Sequence, residues 1–147
     1  MSNSVHEYEF EVPPEAIDDN GHVNNVEYVR WMQEAAVRHF ASVGGNPLMD
    51  AAGATWVVRS HHVEYLRPAL RGERIRVRTW VKDFRRVMST REYEFVRAAD
   101  GTILAKGETE WVYVDAKSGR PRSIPVEIQV LLPVTPPAPA APPAPTT

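Results

Sequence analysis

The first segment with a regular hydrophobic pattern covers residues 6–12. Apolar side chains there alternate with glutamates, which is typical of a strand with one buried face. Two prolines, Pro13 and Pro14, follow directly, and proline cannot continue the hydrogen-bonded ladder of a sheet. The pattern therefore predicts a first strand that ends at residue 12.

From residue 26 to about residue 43 the apolar residues recur at steps of three and four, the period of an amphipathic helix. The stripe contains Val29, Met32, Ala36, Phe40 and Val43. Asn24 or Asn25 is suited to cap the start of this helix. Gly44 and Gly45 favour its end, and Pro47 should prevent the helix from resuming.

The remainder of the chain is typical of strands joined by turns. We expect strands at 55–66, 73–84, 87–98 and 102–114, with Asp100 and Gly101 as a two-residue hairpin turn. An apolar segment at 126–132 should pack at a sheet edge or end. The order predicts an α+β fold, in which one long helix lies across a curved antiparallel sheet of about five strands.

Domain organisation follows from length and composition. The 147 residues suit one compact domain, which we place at 1–132. In the last fifteen residues, 133–147, seven are proline and most others are alanine or threonine, so we expect a disordered tail there. Hydrophobic residues make up 43% and charged residues 24%, as in an ordinary soluble protein.

Charge and cysteine content exclude several function classes. A net charge of -2 gives no reason to expect a nucleic-acid partner. The chain has no cysteine, which excludes disulfides, thiolate metal sites and a cysteine nucleophile. Neither a signal peptide nor a membrane-spanning stretch is evident, so we expect a cytoplasmic protein without a membrane partner.

The densest group of chemically active residues lies just before the predicted helix. Asp18, Asn20 and His22 surround Gly21, close to a helix start whose free N–H groups favour negative charge. A carboxylate that activates water, together with helix N–H groups that stabilise an oxyanion, would serve thioester hydrolysis. The same residue types are also common in turns and caps, and the residue types alone favour that structural interpretation.

Other kinds of site have little support. The phosphate-binding glycine loops and the serine nucleophile elbow are absent from the sequence. His61 and His62 are neighbours in a predicted strand, so they should point to opposite faces and cannot bind one metal ion together. We therefore predict no metal and no organic cofactor.

Together these residues form a longer motif. Asp18-x-Asn20-Gly21-His22-Val23-Asn24-Asn25-Val26-x-Tyr28-x-x-Trp31 resembles the signature of the hotdog thioesterases, in the branch of 4-hydroxybenzoyl-CoA-type and acyl-acyl-carrier-protein enzymes. Segments 63–68, 78–81 and 111–115 fall where that family has sheet strands, so the resemblance covers about residues 6–130. It implies a hotdog fold that hydrolyses acyl-CoA or acyl-carrier-protein thioesters. It also implies a homodimer or homotetramer that joins sheets and has its active sites at the interface.

The resemblance also assigns roles to residues. Asp18 matches the acidic residue that serves as general base or nucleophile, and Asn20 and His22 complete an Asp-x-Asn-x-His pattern. His22 would polarise the carbonyl, orient water or only pack against the helix start. Glu64 matches an acidic strand residue near the site, and Ala16 stands where many relatives have a further acidic residue. The expected substrate-binding residues in the motif are Gly21, Val23, Asn24, Asn25 and Tyr28.

Arginines cluster at the predicted strand ends, and their simplest role is a solvated rim. The group consists of Arg67, Arg71, Arg74, Arg85 and Arg86. Together they would suit coenzyme A phosphates, and we expect Arg85 and Arg86 to bind substrate.

Two other functions remain open. A hotdog hydratase or dehydratase of enoyl thioesters is disfavoured, because its histidine follows the aspartate by five residues and His22 follows Asp18 by four. A non-catalytic hotdog protein that binds acyl thioesters is the other alternative.

Overall fold

The computed structural model describes residues 4–134, so the predicted tail at 133–147 falls almost entirely outside this range. Five strands and three helices follow the order β1 (Val5–Glu11), α1 (Asn25–Ser42), α2 (Gly45–Ala51), β2 (Ala54–Tyr65), β3 (Arg74–Arg85), β4 (Met88–Arg97), β5 (Ile103–Asp115) and α3 (Val126–Leu131). A short 3-10 turn at Pro14–Ala16 joins β1 to the segment before α1. None of the helices within residues 4–134 has the length and apolar character needed to cross a membrane.

All five strands form one antiparallel sheet in the order β1-β3-β4-β5-β2. The long helix α1 packs across one face of this sheet, and β2 occupies one edge. This arrangement is a hotdog fold, so the predicted α+β class and architecture are confirmed. The predicted strand positions agree with the observed ones to within one or two residues.

The start of α1 follows the predicted capping pattern. Asn24 is the N-cap, and its side-chain oxygen accepts a hydrogen bond from the Val26 amide at 3.1 Å. Gly44 ends the helix with a positive φ of 81°, a backbone conformation that glycine adopts at little cost. The expectation that Pro47 prevents further helix was wrong, since α2 begins at Gly45. Proline is accommodated there because it lies in the first turn, where its missing N–H would have had no helical partner.

The core lies between α1 and the sheet. Tyr28, Trp31, Met32 and Ala35 pack against buried residues of the central strands, among them Tyr93 and Phe95. Gly107 in β5 allows the helix to approach closely, because an added Cβ atom would lie 2.8 Å from the Met32 sulfur. Position 107 therefore leaves the space that the end of the Met32 side chain fills.

The opposite face of the sheet is covered by ion pairs. Arg78 bridges Glu7 and Glu94 at 3.0 and 2.7 Å, and Lys82 lies 3.6 Å from Glu108. Trp80 is buried on this face, with its indole nitrogen 3.1 Å from the Glu92 carboxylate. Trp80 therefore needs no second subunit for its burial, because side chains of its own sheet cover it.

The connections differ from the sequence expectation in three places. The turn between β4 and β5 spans residues 98–102, so Asp100 and Gly101 lie in a longer loop than the predicted two-residue hairpin. The tightest hairpin lies instead between β3 and β4, where Arg86 has a φ of 47°. The predicted apolar segment at 126–132 forms α3, which packs against α2 through Ile128 and its neighbours.

We predict that Gly45→Ala destabilises the protein by about 1–3 kcal/mol, the usual cost of an overpacked contact. An added Cβ atom at Gly45 would collide with the Phe40 ring, which is buried and cannot move freely. Gly44→Asn is the matched control, since open space surrounds position 44 and asparagine tolerates positive φ. Urea unfolding of both variants measures the difference, and equal stabilities would contradict the prediction.

Candidate active site

The predicted catalytic residues lie in a tight loop directly before α1. Ile17 and Val23 form an isolated antiparallel bridge, and the Asp18 amide donates to the His22 carbonyl at 2.8 Å. Gly21 has a φ of 78° with open space around its α-carbon, so glycine serves the backbone conformation there. The structure thus brings Asp18, Asn20 and His22 together within one turn.

The Asp18 carboxylate organises this loop. Its Oδ1 atom accepts hydrogen bonds from the backbone amides of Asn20 and His22, at 2.9 and 3.2 Å. Its other oxygen accepts no hydrogen bond from any residue in the described part of the chain, and the side chain is only half-buried. The carboxylate is therefore held in place by one oxygen while the other remains available to a reactant.

The side chains of Asn20 and His22 are exposed at the loop surface. A backbone bridge between His22 and Leu70, and a hydrogen bond of 2.9 Å from the Val23 amide to the Ala69 carbonyl, attach the loop to the segment between β2 and β3. These backbone bonds fix the loop, so the Asn20 and His22 side chains are free to contact a ligand.

The first amides of α1 are only partly available. The Asn24 cap already uses the Val26 amide, and the Glu27 amide donates to the Asn24 carbonyl. Within residues 4–134 the Asn25 amide has no hydrogen-bond acceptor. Asn25 therefore supplies the N–H group that can stabilise an oxyanion beside this loop.

Two motif residues belong to the core. Val23 and Tyr28 are 4% and 3% exposed, so within one chain they support the loop from behind. Burial raises the pKa of the Tyr28 phenol to about 12, which keeps it neutral at physiological pH. The Tyr28 ring contacts the Tyr65 ring at 5.2 Å, which ties the helix start to the end of β2.

Glu64 lies apart from the Asp18 loop. It occupies a recess on the ion-paired face of the sheet, together with His62, Lys106 and Glu108. Since α1 and the Asp18 loop lie on the other face, one chain does not bring Glu64 and Asp18 together. His61, on the helix side, hydrogen-bonds Thr109 at 2.8 Å. Residues 4–134 contain no group of three or more potential metal ligands that could hold an ion.

Arg85 and Arg86 lie at the β3–β4 hairpin, near the end of α1 that is distant from Asp18. The Arg85 guanidinium is already engaged by Glu110 at 3.0 Å and by Asp83 at 3.4 Å. The Arg86 side chain makes no hydrogen bond or ion pair with the part of the chain that the structure describes. Of the two, Arg86 is thus the freer cation.

A cavity of about 170 Å³ lies beneath the C-terminal half of α1. Its walls include Phe40, Trp56, Trp111 and the buried Arg91. Sequence reasoning missed this site. The signal was present, because Arg91 occupies the same face of β4 as the buried Tyr93 and Phe95, where a charged residue is unusual.

Comparison with known proteins shows the family to which the chain belongs. Residues 12–132 match the family model described as the thioesterase-like superfamily. Betainyl-CoA thioesterase of Pseudomonas aeruginosa is 30% identical over 132 residues, which cover 89% of this chain and 82% of that protein.

Solved structures agree at the level of the fold. A 1,4-dihydroxy-2-naphthoyl-CoA thioesterase from Synechocystis superposes with a TM-score of 0.77 at 18% identity, covering 86% of this chain and 94% of that one. The 12:0-ACP thioesterase from Umbellularia californica superposes with a TM-score of 0.76 at 23% identity, covering 86% and 48% respectively.

The match over residues 12–132 and the relative at 30% identity show that this hotdog protein is an acyl-thioester hydrolase. The chain belongs to the thioesterase-like superfamily. The predicted thioesterase resemblance is thereby confirmed.

We predict that acidification destabilises the fold through His6 and His61. Burial is the main cause that lowers the pKa of both imidazoles, and Arg91 and Arg38 lower that of His6 further. The unfolded chain then binds more protons, so the stabilisation present above about pH 6.5 is lost as the pH falls toward the folded pKa values. Thermal melts between about pH 7.5 and 5.5 should show a falling midpoint, and His6→Gln with His61→Gln should flatten this dependence.

His62→Gln is the control for this experiment, since His62 is exposed on the same strand as His61. It should leave the pH dependence unchanged. A flattening equal to that of the variant with His6→Gln and His61→Gln would contradict the assignment.

Proposed function

We propose that the protein hydrolyses acyl thioesters with Asp18 as its general base or nucleophile. The observation that carries this proposal is the Asp18 carboxylate itself, which has one oxygen fixed by two backbone amides and the other unbonded, beside the start of α1. A carboxylate oriented in this way is preorganised for reaction, because its geometry does not depend on a mobile rotamer.

The chemistry takes one of two balanced routes. As a base, Asp18 removes a proton from water while the water oxygen attacks the thioester carbonyl carbon. As a nucleophile, Asp18 forms an acyl anhydride, which water then hydrolyses. In both routes the C–S bond breaks, the thiolate leaves and takes up a proton, and the oxyanion forms within reach of helix N–H groups such as that of Asn25.

The roles that we propose for Asn20 and His22 follow from the exposure of their side chains. His22 and Asn20 present polar side chains at the loop surface, which suits contact with the carbonyl or the attacking water. Glu64 remains a second acidic candidate for a site that includes another subunit. The hydratase alternative loses support, because the family and the relative at 30% identity are thioesterases.

The assembly that we propose is a two-fold dimer formed through β2. This strand has twelve residues and, within the described residues 4–134, pairs only with β5, which leaves a long free edge. Val57 and Tyr65 on it are 44% and 46% exposed, so the edge also carries apolar surface. Antiparallel pairing of two β2 strands would satisfy the edge and extend the sheet across the dimer.

Acyl-CoA or acyl-acyl-carrier-protein would be the substrate of this dimer. In one chain, α1 separates the Asp18 loop from the β3–β4 hairpin, and antiparallel β2 pairing would bring the hairpin end of one chain toward the Asp18 end of its partner. Arg86 of one subunit would then suit a coenzyme A phosphate at the other subunit's site. Arg85 would join it only by exchanging its carboxylate partners.

We predict that Asp18→Asn lowers turnover by roughly 100-fold or more while stability changes little. Asparagine keeps an oxygen that can accept the loop hydrogen bonds but lacks the negative charge. Asn20→Ala and His22→Ala should cost less than Asp18→Asn, since these residues orient or polarise rather than initiate the reaction. Released thiol, measured over a panel of acyl-CoA and acyl-carrier-protein substrates, gives the rates.

Asp19→Asn is the matched control, because Asp19 is exposed in the same loop and its side chain makes no hydrogen bond within residues 4–134. It should retain nearly full turnover. A folded Asp18→Asn enzyme with more than about half the wild-type rate would move the chemistry away from this loop.

We predict that the protein is a dimer or a dimer of dimers at micromolar concentration, and that Ser60→Pro reduces it to a monomer. Proline removes a backbone N–H group from β2 and disfavours strand pairing. The same substitution at an exposed position outside β2, Ser123→Pro, is the control, since the Ser123 amide donates no hydrogen bond within residues 4–134. Light scattering of the three proteins measures the mass, and an active wild-type monomer would contradict the proposal.

A further inference from the structure

The cavity under the C-terminal half of α1 contains a charge that the proposed mechanism does not use. Arg91 lies in its wall and is 4% exposed. One guanidinium nitrogen, Nη1, contacts the His39 ring nitrogen at 2.8 Å and the Thr79 hydroxyl at 3.1 Å. Both partners are uncharged acceptors for such a bond, so they orient the arginine without neutralising it.

No carboxylate within residues 4–134 forms an ion pair with Arg91. The remaining residues, 1–3 and 135–147, contain no aspartate or glutamate at all. Burial lowers the pKa of Arg91, yet a guanidinium remains protonated at neutral pH. Burying a cation without an anion lowers the free energy of unfolding. A ligand that supplies the opposite charge compensates for this loss, which gives a reason for such a cation at a binding site.

The volume and the other walls of the cavity limit the size and shape of a group that can bind there. Its volume of about 170 Å³ is that of a group near the size of a benzene ring. Phe40, Trp56 and Trp111 give it apolar walls, and the Ser89 hydroxyl in the same wall already donates to the Asp83 carbonyl at 3.2 Å, which leaves Arg91 as the cationic donor. An occupant should therefore be a short apolar chain or ring that ends in an anionic oxygen.

The cavity fits the reaction only through the dimer. Along α1 it lies roughly 16–22 Å from the helix start, at a rise of ~1.5 Å per residue, which is too far for a short acyl group bound at the same chain's Asp18. Trp56, at the cavity end of β2, and Tyr65, which contacts the helix start, mark opposite ends of the edge strand. Antiparallel β2 pairing therefore turns each cavity toward the Asp18 end of the other subunit.

We propose that this cavity binds the distal end of the acyl group and that Arg91 selects acyl thioesters with a terminal carboxylate. The inference rests on the proposed function, since the acyl group must reach the cavity from the other subunit's Asp18. A cationic acyl group, such as the betainyl group in the name of the Pseudomonas aeruginosa relative, would be repelled by Arg91 despite the tryptophans.

Binding is tested separately from turnover with non-hydrolysable thioether analogues of three acyl-CoAs. The first probe is the adipoyl analogue, the second is its neutral counterpart with an isopropyl group in place of the terminal carboxylate, and the third is the betainyl analogue. Trp56 and Trp111 line the cavity, so tryptophan fluorescence should report binding directly. The wild-type dimer should bind the adipoyl analogue about tenfold or more tightly than either other probe.

Arg91→Met should remove this preference, because methionine fills similar space without charge. Arg91→Lys should keep part of it, since the ammonium retains the charge but not the fork geometry. Arg120→Met is the matched control, because Arg120 is exposed in the turn after β5. It should bind all three probes as the wild type does.

Hydrolysis of the corresponding thioesters should show the same order, with the effect of Arg91→Met confined to the adipoyl substrate. Equal affinities in the wild type, tighter binding of the neutral or cationic probe, or an unchanged ratio in folded Arg91→Met would overturn the inference. If Arg91→Met does not fold, the test rests on two other measurements. These are the ratio of the wild-type affinities for the adipoyl and neutral probes, and the same ratio for Arg91→Lys. A tenfold affinity ratio without any thioester hydrolysis would support the inference and refute the proposed function.

Discussion

The close packing of α1 on the sheet is the constraint on which the other features depend. The helix contributes Tyr28, Trp31, Met32 and Ala35 to the main core, and Gly107 leaves the space that Met32 occupies. Burial of this many large side chains is the dominant source of stability in a domain of this size. The helix start is thereby held against the end of β2. These two elements together fix the position of the Asp18 loop.

The loop is positioned by hydrogen bonds to main-chain groups, some accepted by the Asp18 and Asn24 side chains and some by backbone carbonyls. Asp18, Val23 and Asn24 each engage main-chain groups of the surrounding segments, so the Asp18 carboxylate has a rigid support. These bonds do not involve the polar side chains of Asn20 and His22, which stay exposed at the loop surface. A rigid backbone with free polar side chains suits a site that must bind a carbonyl group and change its charge during reaction.

Charge is distributed differently on the two faces of the sheet. On the outer face arginines and lysines meet carboxylates, as Arg78 does with Glu7 and Glu94. On the helix face Arg91 hydrogen-bonds the neutral side chains of His39 and Thr79, among buried residues that are mostly apolar. The outer ion pairs lie near solvent, so each contributes little to the free energy of unfolding. The Arg91 guanidinium is buried without an opposite charge, which an anionic ligand can supply.

The sequence by itself determined the elements and the candidate loop. Alternation in 6–12, the helical stripe with Asn24 as its cap and the Asp18 motif are local patterns, and local patterns fix period, capping and turn chemistry. Only the tertiary structure decided which distant residues meet. It placed Glu64 on the face away from Asp18, covered Trp80 with its own sheet, and put Arg91 beside Trp56 and Trp111 in one cavity. These outcomes depend on strand order and on register, including the shift of β2 against β5 between Val58 and Ser60. Both follow from the packing of the whole chain and not from any one segment.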